Sequence, residues 1–298
     1  MKEKLVVVLA VLMMCIAPSL VKFADAPPLI LALYRMSMAF AAMLVFVLVF
    51  QRAALRALTR RDVLVTLAAG GLLGLHFAAF FASVQLGGAV TAATVLANAD
   101  AVLVAAVSVF FFHKPIRGRA LWGILVAAAG ILTVIIGDWN GRAALLSDLA
   151  ALAAVVLFTA YFLFGSHQRK TLTNGVFTLL AYGGSSAVLL LSALATGTPL
   201  TGYAPVNTVS ALCLAIFPTI LGHGLIAWAV RYLAPVYISM NKLFIPIGAS
   251  LLAYFLFGVL PTVPQAAGSA VVLAGLALYL SAGAGAGASP EDASEVSP

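Results

Sequence analysis

The sequence predicts an all-α integral membrane protein with ten transmembrane helices, arranged as two inverted repeats of five helices each. The first observation behind this prediction is the composition: 64% of the 298 residues are hydrophobic, 8% are charged, and the mean hydropathy is +1.15. A water-soluble domain of this length does not have such a composition. The second observation is a repeat within the chain, and the third is the odd number of apolar stretches in each half.

The repeat relates residues of the same type in the two halves of the chain. At an offset of 145 residues, four pairs match: Phe110 with Phe255, Phe112 with Phe257, Gly123 with Gly268, and Gly130 with Gly275. Five spans per half make the second copy cross the bilayer in the opposite sense, as in many secondary transporters that build alternating gates around one central site. We therefore predict one repeat over residues 1–140 and a second over residues 141–282.

Each predicted helix is a stretch of about 20 mainly apolar residues, the length that crosses the ~30 Å hydrocarbon layer of a bilayer. The ten stretches are 5–23, 28–50, 63–86, 90–112, 119–137, 148–166, 176–196, 208–231, 236–257 and 263–282. The first stretch also resembles a signal peptide, because Lys2 and Lys4 precede it and Ala24-Asp25-Ala26 is similar to a cleavage site. We interpret it as a helix, since its removal would break the symmetry of five plus five.

The basic residues predict the orientation of these helices. Lys22 and Arg142 fall on one side, Arg35 and Lys242 lie within spans, and the other Lys and Arg residues fall on the side of both termini. Basic residues near helix ends are retained in the cytoplasm, so both termini are expected there. The net charge of +7 has the same origin and gives no indication of nucleic-acid binding. Residues 283–298 are small, polar and acidic, which predicts a disordered cytoplasmic tail.

The order of several short segments resembles the drug/metabolite transporter superfamily, in its ten-helix EamA-type branch. The matching segments are Tyr34-Arg35, Gly74-Leu-His76 and Ala92-Ala-Thr-Val-Leu-Ala-Asn98 in the first half, and Leu221-Gly-His-Gly224, Trp228-Ala-Val-Arg-Tyr-Leu233, Pro246-Ile-Gly-Ala249 and Leu256-Phe-Gly258 in the second. The resemblance implies an inner-membrane transporter, commonly an exporter of amino acids or other small metabolites, with cytoplasmic termini.

The chain departs from this family pattern at three acidic positions. Where relatives tend to have glutamates around the ninth span, this chain has Ile245 and Val259, and after the fourth span it has Lys114. The repeat offset places Asp100 at the position equivalent to Ile245. The deep carboxylate therefore comes from the first repeat, and a coupling mechanism cannot be carried over directly from typical relatives.

Three charged residues lie deep in predicted spans, where an ionisable group costs about 2.5–3.5 kcal/mol on insertion scales and needs a partner or a purpose. Asp100 lies about ten residues, or ~15 Å, into its helix. It could couple transport to protons, pair with a substrate amine, or serve packing alone. Arg35 could capture an anionic group, reach an interface, or pair with Asp25 or Asp100. Lys242 could pair with Asp100, since the helices that carry them are repeat mates.

The remaining candidates are polar and aromatic residues in the same spans. His76 and His223 match when a slip of two residues is allowed, and such a pair could relay protons, although we favour a structural hydrogen-bonding role. The aromatic candidates, together with His76, could form the wall of a cavity for a solute with an apolar body. Phe80, Tyr161 and Trp228 are candidates for this wall, and Tyr34 is a candidate for its rim. Asn98 could complete the hydrogen bonding of Asp100, and Asn241 is a candidate because it adjoins Lys242.

These features favour a secondary transporter that works by alternating access and exports amino acids or similar small metabolites, with protons as the favoured coupling ion. An enzyme is not expected, because the sequence has one deep Asp, no His-Glu-x-x-His and no Gly-x-Ser-x-Gly. No cofactor or metal is predicted. The expected partners are a small solute and the lipid bilayer, and the protein is a monomer or a homodimer. An uncoupled facilitator, a channel-like permease and a non-transporting scaffold are the alternatives.

Overall fold

The structure is a computed structural model that describes residues 2–86, 100, 103, 107, 116, 118–137, 141–258 and 262–282. Throughout this part of the chain the regular structure is helical. Most of the predicted fourth span, Asn98, Lys114, Val259 and the predicted tail at 283–298 lie outside the described residues.

The described part contains fourteen α-helices and one π-helix, numbered in chain order. The first five are α1 (Lys2–Met14), α2 (Ala17–Phe23), α3 (Pro28–Phe50), α4 (Arg52–Arg56) and α5 (Arg60–Leu86). Next come α6 (Arg119–Gly137), α7 (Gly141–Phe164), α8 (Ser166–Thr171) and α9 (Asn174–Ala195). The last are α10 (Pro205–Leu214), the π-helix (Ala215–His223), α11 (Gly224–Ala229), α12 (Pro235–Lys242), α13 (Ile245–Phe257) and α14 (Val263–Ser281).

Seven stretches of the described helices are long and apolar enough to cross a membrane. They are Lys2–Phe23, Pro28–Phe50, Arg60–Leu86, Leu145–Phe164, Asn174–Ala195, Pro205–Ala229 and Val236–Phe257. The predicted fifth and tenth spans correspond to α6 and α14, whose apolar stretches are shorter. Large apolar side chains such as Leu5, Phe50 and Phe255 are at least 70% exposed, which suits contact with lipid rather than with water. The protein is therefore a multi-pass membrane protein.

Three of the predicted spans are interrupted, and each interruption has a proline beside or within it. Pro18 lies in the first turn of α2, Pro246 lies in the first turn of α13, and Pro218 lies inside the π-helix. Proline has no N–H to give to the carbonyl of the fourth residue before it, which for Pro218 is Leu214. The Leu214 carbonyl accepts instead from Thr219 Oγ1 at 2.6 Å. A helix break within a membrane is tolerated when side chains satisfy the freed backbone groups in this way.

Helices α5, α7 and α9 form the centre of the larger core, with α3 packed on α9 and α5. Glycine allows the backbones of α5 and α9 to touch: a Cβ on Gly70 would lie 2.1 Å from the carbonyl oxygen of Ala181, and one on Gly184 would lie 2.1 Å from that of Leu67. Ser185 Oγ donates to the Gly70 carbonyl across this contact at 2.6 Å. Small residues thus bring polar backbone groups of neighbouring membrane helices within hydrogen-bonding reach.

Helices α6 and α14 form a second close pair, and their contact uses the glycines of the sequence repeat. A Cβ on Gly123 would lie 2.7 Å from the Gly275 carbonyl oxygen, and one on Gly130 would lie 2.7 Å from the Gly268 carbonyl oxygen. Residue numbers rise along one helix as they fall along the other, so the two helices are antiparallel. Each contact joins a glycine of the first half of the chain to a glycine of the second half.

Candidate functional site

A small cavity lies where the three interrupted spans meet α3, α5 and α7. Its walls carry two buried cations, two histidines and several apolar and aromatic side chains. The lining residues are Met14, Ala17, Pro18, Arg35, His76, Phe77, Phe80, Phe158, Pro218, His223, Lys242 and Ile245. The water-accessible volume is about 30 Å³, which is room for about two water molecules. A metabolite therefore fits only after neighbouring helices have moved apart.

Arg35 is held on α3 by contacts with two other helices. Its side chain is 1% exposed, and Nε donates to Thr219 Oγ1 of the π-helix at 2.6 Å. The guanidinium carbon lies 3.8 Å from the ring centroid of Phe77 on α5, an arrangement in which a cation is attracted to the face of an aromatic ring. In the described part of the chain, Nη2 has no hydrogen-bond partner, and no carboxylate forms an ion pair with Arg35. The pairs with Asp25 and Asp100 considered from the sequence are not formed.

Asp100 and Lys242 form a buried ion pair. Lys242 Nζ lies 2.8 Å from Asp100 Oδ1, and Ser239 Oγ donates to Asp100 Oδ2 at 2.6 Å. Lys242 Nζ also lies 3.6 Å from the ring centroid of Phe158. Both Lys242 and Ser239 belong to α12, just before the break that precedes α13. Each carboxylate oxygen thus has a donor from the described part of the chain, and Lys242 joins the pair to the cavity wall.

His76 and His223 both contact the rings of Phe77 and Phe158. His76 Nδ1 is 2.8 Å from the Ala154 carbonyl oxygen on α7. Because a carbonyl only accepts, Nδ1 carries the hydrogen, and Nε2 of the neutral ring remains an acceptor. The His223 ring meets the Phe77 ring edge-on, with centroids 5.1 Å apart, and the His76 and Phe158 centroids are also 5.1 Å apart. Both histidines line the cavity and are 6% exposed.

Counted over the described residues and the predicted fourth span, the charges around the cavity do not balance. The sequence from 87 to 112 contains Asp100 as its one ionisable residue, so the predicted fourth span adds no further carboxylate to the site. With both histidines neutral, Arg35, Lys242 and Asp100 leave one positive charge in excess. This charge belongs to Arg35, because Asp100 is paired with Lys242.

Of the eleven residues proposed from the sequence, five line the cavity and Asp100 contacts one of them. The five are Arg35, His76, Phe80, His223 and Lys242. The sequence prediction missed Phe158, Thr219 and Ser239 as parts of the site. Their side chains are ordinary residue types for a membrane helix, so no sequence signal separates them from packing residues. The helix breaks were not predicted either, although the prolines at 18, 218 and 246, which lie at them, could have indicated their positions.

Four other proposed residues do not line the cavity, and Asn98 lies outside the described residues. Tyr34 Oη donates to the Leu200 carbonyl at 2.5 Å, and Asn241 Nδ2 donates to the Tyr237 carbonyl of its own helix at 2.8 Å. The Tyr161 ring lies under a different cation, and the Trp228 ring packs on Tyr232 with centroids 4.8 Å apart. The cation over Tyr161 is Arg169, whose guanidinium carbon is 4.4 Å from the ring centroid.

A hydrogen-bonded clasp joins the two halves of the chain at the end where α2 leads into α3. Asn207 of α10 is fully buried, and its Oδ1 accepts from the backbone nitrogens of Asp25 and Ala26 at 3.0 and 2.8 Å. Its Nδ2 donates to Asp25 Oδ1 at 2.6 Å and to the Ala204 carbonyl at 3.1 Å. Gln85 Nε2 donates to the Ala26 carbonyl at 3.1 Å. The clasp holds the α2–α3 connection against α10 and α5.

The described residues contain no group of three or more His, Cys, Asp or Glu side chains placed to hold a metal ion. Comparison with known proteins finds a matching family model and matching solved structures. A model of the EamA-like transporter family matches residues 1–136 and 145–281. A solved structure, titled only as the crystal structure of a protein, has the same fold: the TM-score is 0.71 at 17% sequence identity, over 93% of this chain and 97% of the other. No curated protein matches the sequence.

Proposed function

Because the chain belongs to the EamA-like transporter family, we propose that it is a secondary transporter that exports amino acids or similar small metabolites by alternating access. Membrane transport of a small solute follows from the family. The direction, the class of solute and the coupling to protons belong to the proposal. The observation that carries it is the buried Asp100–Lys242 pair beside a cavity formed at three helix breaks.

The packing of the helices supports two inverted repeats of five spans. In the repeat, the α1–α2 span is the mate of α7, and the α10–α11 span is the mate of α5. Helix α5 packs on α7, and in the same way α1 packs on the π-helix and α11. The mates α3 and α9 pack on each other, as do α6 and α14. These relations are those of a twofold axis in the membrane plane, and such an axis provides two equivalent gates around one site.

Interrupted helices support a solute site at the centre of this arrangement. In secondary transporters, the solute and the coupling ion bind near the midplane, where broken helices expose backbone groups to a cavity. Here the break between α1 and α2, the π-helix and the break between α12 and α13 all contribute lining residues, which include Pro18, Pro218 and Ile245. Ile245 holds the position where relatives tend to have a glutamate, and in this chain the carboxylate comes from Asp100 instead.

The Asp100–Lys242 pair supports proton coupling. A buried ion pair is stable only while both partners remain charged and hydrogen-bonded. Protonation of Asp100 would remove the partner of Lys242 and leave a free cation at the cavity wall. A solute that binds to only one protonation state of the pair would couple its own movement to that of a proton.

Flux into proteoliposomes tests this proposal. Purified protein is reconstituted, and uptake of a panel of labelled amino acids and small organic acids is measured with and without an imposed pH gradient. For the wild type we expect flux that follows the gradient. For Asp100→Asn we expect the gradient dependence to disappear, because an amide side chain, unlike a carboxylate, does not bind and release a proton as the pH changes.

The control variant is Asp62→Asn, which changes an exposed carboxylate at the start of α5 that bonds Thr59 and lies outside the cavity. It should transport like the wild type. Gradient-independent flux that survives Asp100→Asn would contradict proton coupling and favour a facilitator. The absence of flux for every solute in well-folded protein would contradict transport and favour the scaffold.

A further inference from the structure

We propose that the solute is a small organic anion with an apolar or aromatic body and no ammonium group, and that Arg35 binds its anionic group. This inference rests on the proposed function, because it concerns the solute of the same cavity. Among the small metabolites of the proposed function, it selects anions and excludes the amino acids that the resemblance implies, because amino acids are zwitterions.

The first argument is the excess positive charge. An unpaired cation deep in a membrane protein is costly, and its cost is relieved by an anion. Arg35 is 1% exposed and forms no ion pair with a described carboxylate. Sequence positions 87–112 supply no second carboxylate besides Asp100. A carboxylate solute would neutralise the cavity, and the solute itself would then complete the charge balance.

The second argument is the way in which Arg35 is oriented. Its Nε is fixed by Thr219, whose hydroxyl in turn donates to the Leu214 carbonyl, and its face lies on the Phe77 ring. Tyr182 Oη donates to the Thr219 carbonyl at 3.0 Å and holds the same segment. Guanidinium binds a carboxylate through parallel N–H groups, and Nη2 has no partner in the described part of the chain. The donor is thus oriented in advance of its ligand.

The third argument is the lack of a place for an ammonium group. The described carboxylate at the site is Asp100, and its two oxygens already accept from Lys242 and Ser239. An ammonium group in the cavity would meet two cations, Arg35 and Lys242. Repulsion of like charges in a medium of low dielectric constant disfavours a zwitterion relative to a plain carboxylate.

The fourth argument is the character of the remaining wall. Met14, Phe80, Phe158 and Ile245 are apolar lining residues, and the rings of Phe80 and His76 are stacked with centroids 6.2 Å apart. These side chains suit the apolar body of a ligand, as in most small-molecule sites, where a few polar groups fix the orientation. Opening of the cavity would expose them to the solute beside Arg35.

The experiment uses three probes that share one aromatic body and differ in charge: 3-phenylpropanoate, phenylalanine and phenethylamine. Binding to purified protein in detergent is measured by calorimetry in chloride-free buffer, and uptake is measured in proteoliposomes. We expect 3-phenylpropanoate to bind at least about tenfold more tightly than phenylalanine, because the ammonium group of phenylalanine would be repelled by Arg35 and Lys242. Phenethylamine, which has no anionic group, should not bind.

Variants of Arg35 identify the binding group. Arg35→Gln should weaken 3-phenylpropanoate binding by about tenfold or more, and Arg35→Lys should weaken it less, because lysine keeps the charge but loses the planar pair of donors. Lys22→Gln is the matched control, since it removes an exposed positive charge near the same end of the protein. It should bind the probe like the wild type. Arg35→Lys keeps the test decisive if Arg35→Gln does not fold.

The outcomes separate this inference from the transport proposal. Anion binding that depends on Arg35, without uptake, would support the anion site and contradict transport. Uptake of all three probes at similar rates, or tighter binding of phenylalanine, would overturn the anion site and leave transport standing. Binding of 3-phenylpropanoate that is equal in wild type and both Arg35 variants, or no binding of any probe by folded protein, would also overturn it.

Discussion

At the scale of single residues, the buried charges have unequal surroundings. Lys242 and Asp100 satisfy each other, and Ser239 adds a hydrogen bond to the carboxylate. Arg35 is supported by Thr219 and the face of Phe77, neither of which neutralises its charge. A buried pair and a buried unpaired cation therefore stand side by side, and they should respond differently to substitution.

A double-mutant cycle on the pair tests this difference. Asp100→Leu and Lys242→Met should each lower the free energy of unfolding by about 3–5 kcal/mol, because each leaves an uncompensated buried charge, whereas the double variant should be close to the wild type. The measurement is unfolding in mixed micelles, with uptake measured in parallel. Under the proton-coupling proposal, the double variant should be stable and yet lack gradient-driven uptake. A double variant destabilised by the sum of the two single effects would contradict the pairing.

At the scale of elements, the glycines of α6 and α14 set the distance between these helices. Gly130 and Gly275 each lie so near the backbone of the other helix that an added Cβ would come within 2.7 Å of it. Backbone cannot move aside as a flexible side chain can. The contact therefore depends on glycine at these positions, and the sequence repeat keeps glycine at the equivalent ones.

We expect Gly130→Ala to lower the free energy of unfolding by about 1–3 kcal/mol, since overpacking forces the two helices apart. Gly224→Ala is the matched control: its Cβ would lie 3.6 Å from Tyr182 Oη, an ordinary contact, so alanine should fit there. Thermal unfolding in detergent measures both variants. Equal melting temperatures for Gly130→Ala and the wild type would show that the helix contact is looser than described.

At the scale of the whole molecule, the structure holds a cavity for about two waters, with a clasp at one end. The clasp joins Asn207 to Asp25 and Ala26, so it links the first repeat to the second. The cavity is far smaller than the ~300–1,000 Å³ of typical ligand pockets, so a metabolite at Arg35 would require the helices around it to move apart. Under alternating access, the clasp would open each time the cavity faces its side of the membrane.

A reversible cross-link tests whether the clasp moves. In a background of Cys15→Ala and Cys213→Ser, cysteines are placed at 25 and 207, where the Asp25 and Asn207 side chains are 2.6 Å apart. A short bifunctional thiol reagent with a cleavable disulfide should abolish uptake, and reduction should restore it. The double-cysteine protein before cross-linking is the control. Full uptake in quantitatively cross-linked protein would show that the clasp stays closed during transport.

Hydropathy and the matching glycines of the two halves could be read from the sequence, because each depends on local composition or spacing. An apolar stretch of about 20 residues predicts a membrane helix wherever it packs. The match of Gly123 and Gly130 with Gly268 and Gly275 predicted equivalent helices, although it did not predict that these helices touch each other. The deep position of Arg35, Asp100 and Lys242 also followed from their place within the spans.

The sequence by itself thus determined a helical membrane protein and the charged residues that most need a partner. Only the tertiary structure decided which partner each one has: Lys242 contacts Asp100, whereas Arg35 contacts Thr219 and Phe77. It also decided that Tyr161 and Trp228 pack away from the cavity and that Phe77 and Phe158 form its wall. The physical reason is that these contacts join residues far apart in the chain, and the rotation and crossing of packed helices, which local sequence leaves undetermined, select the side chains that meet.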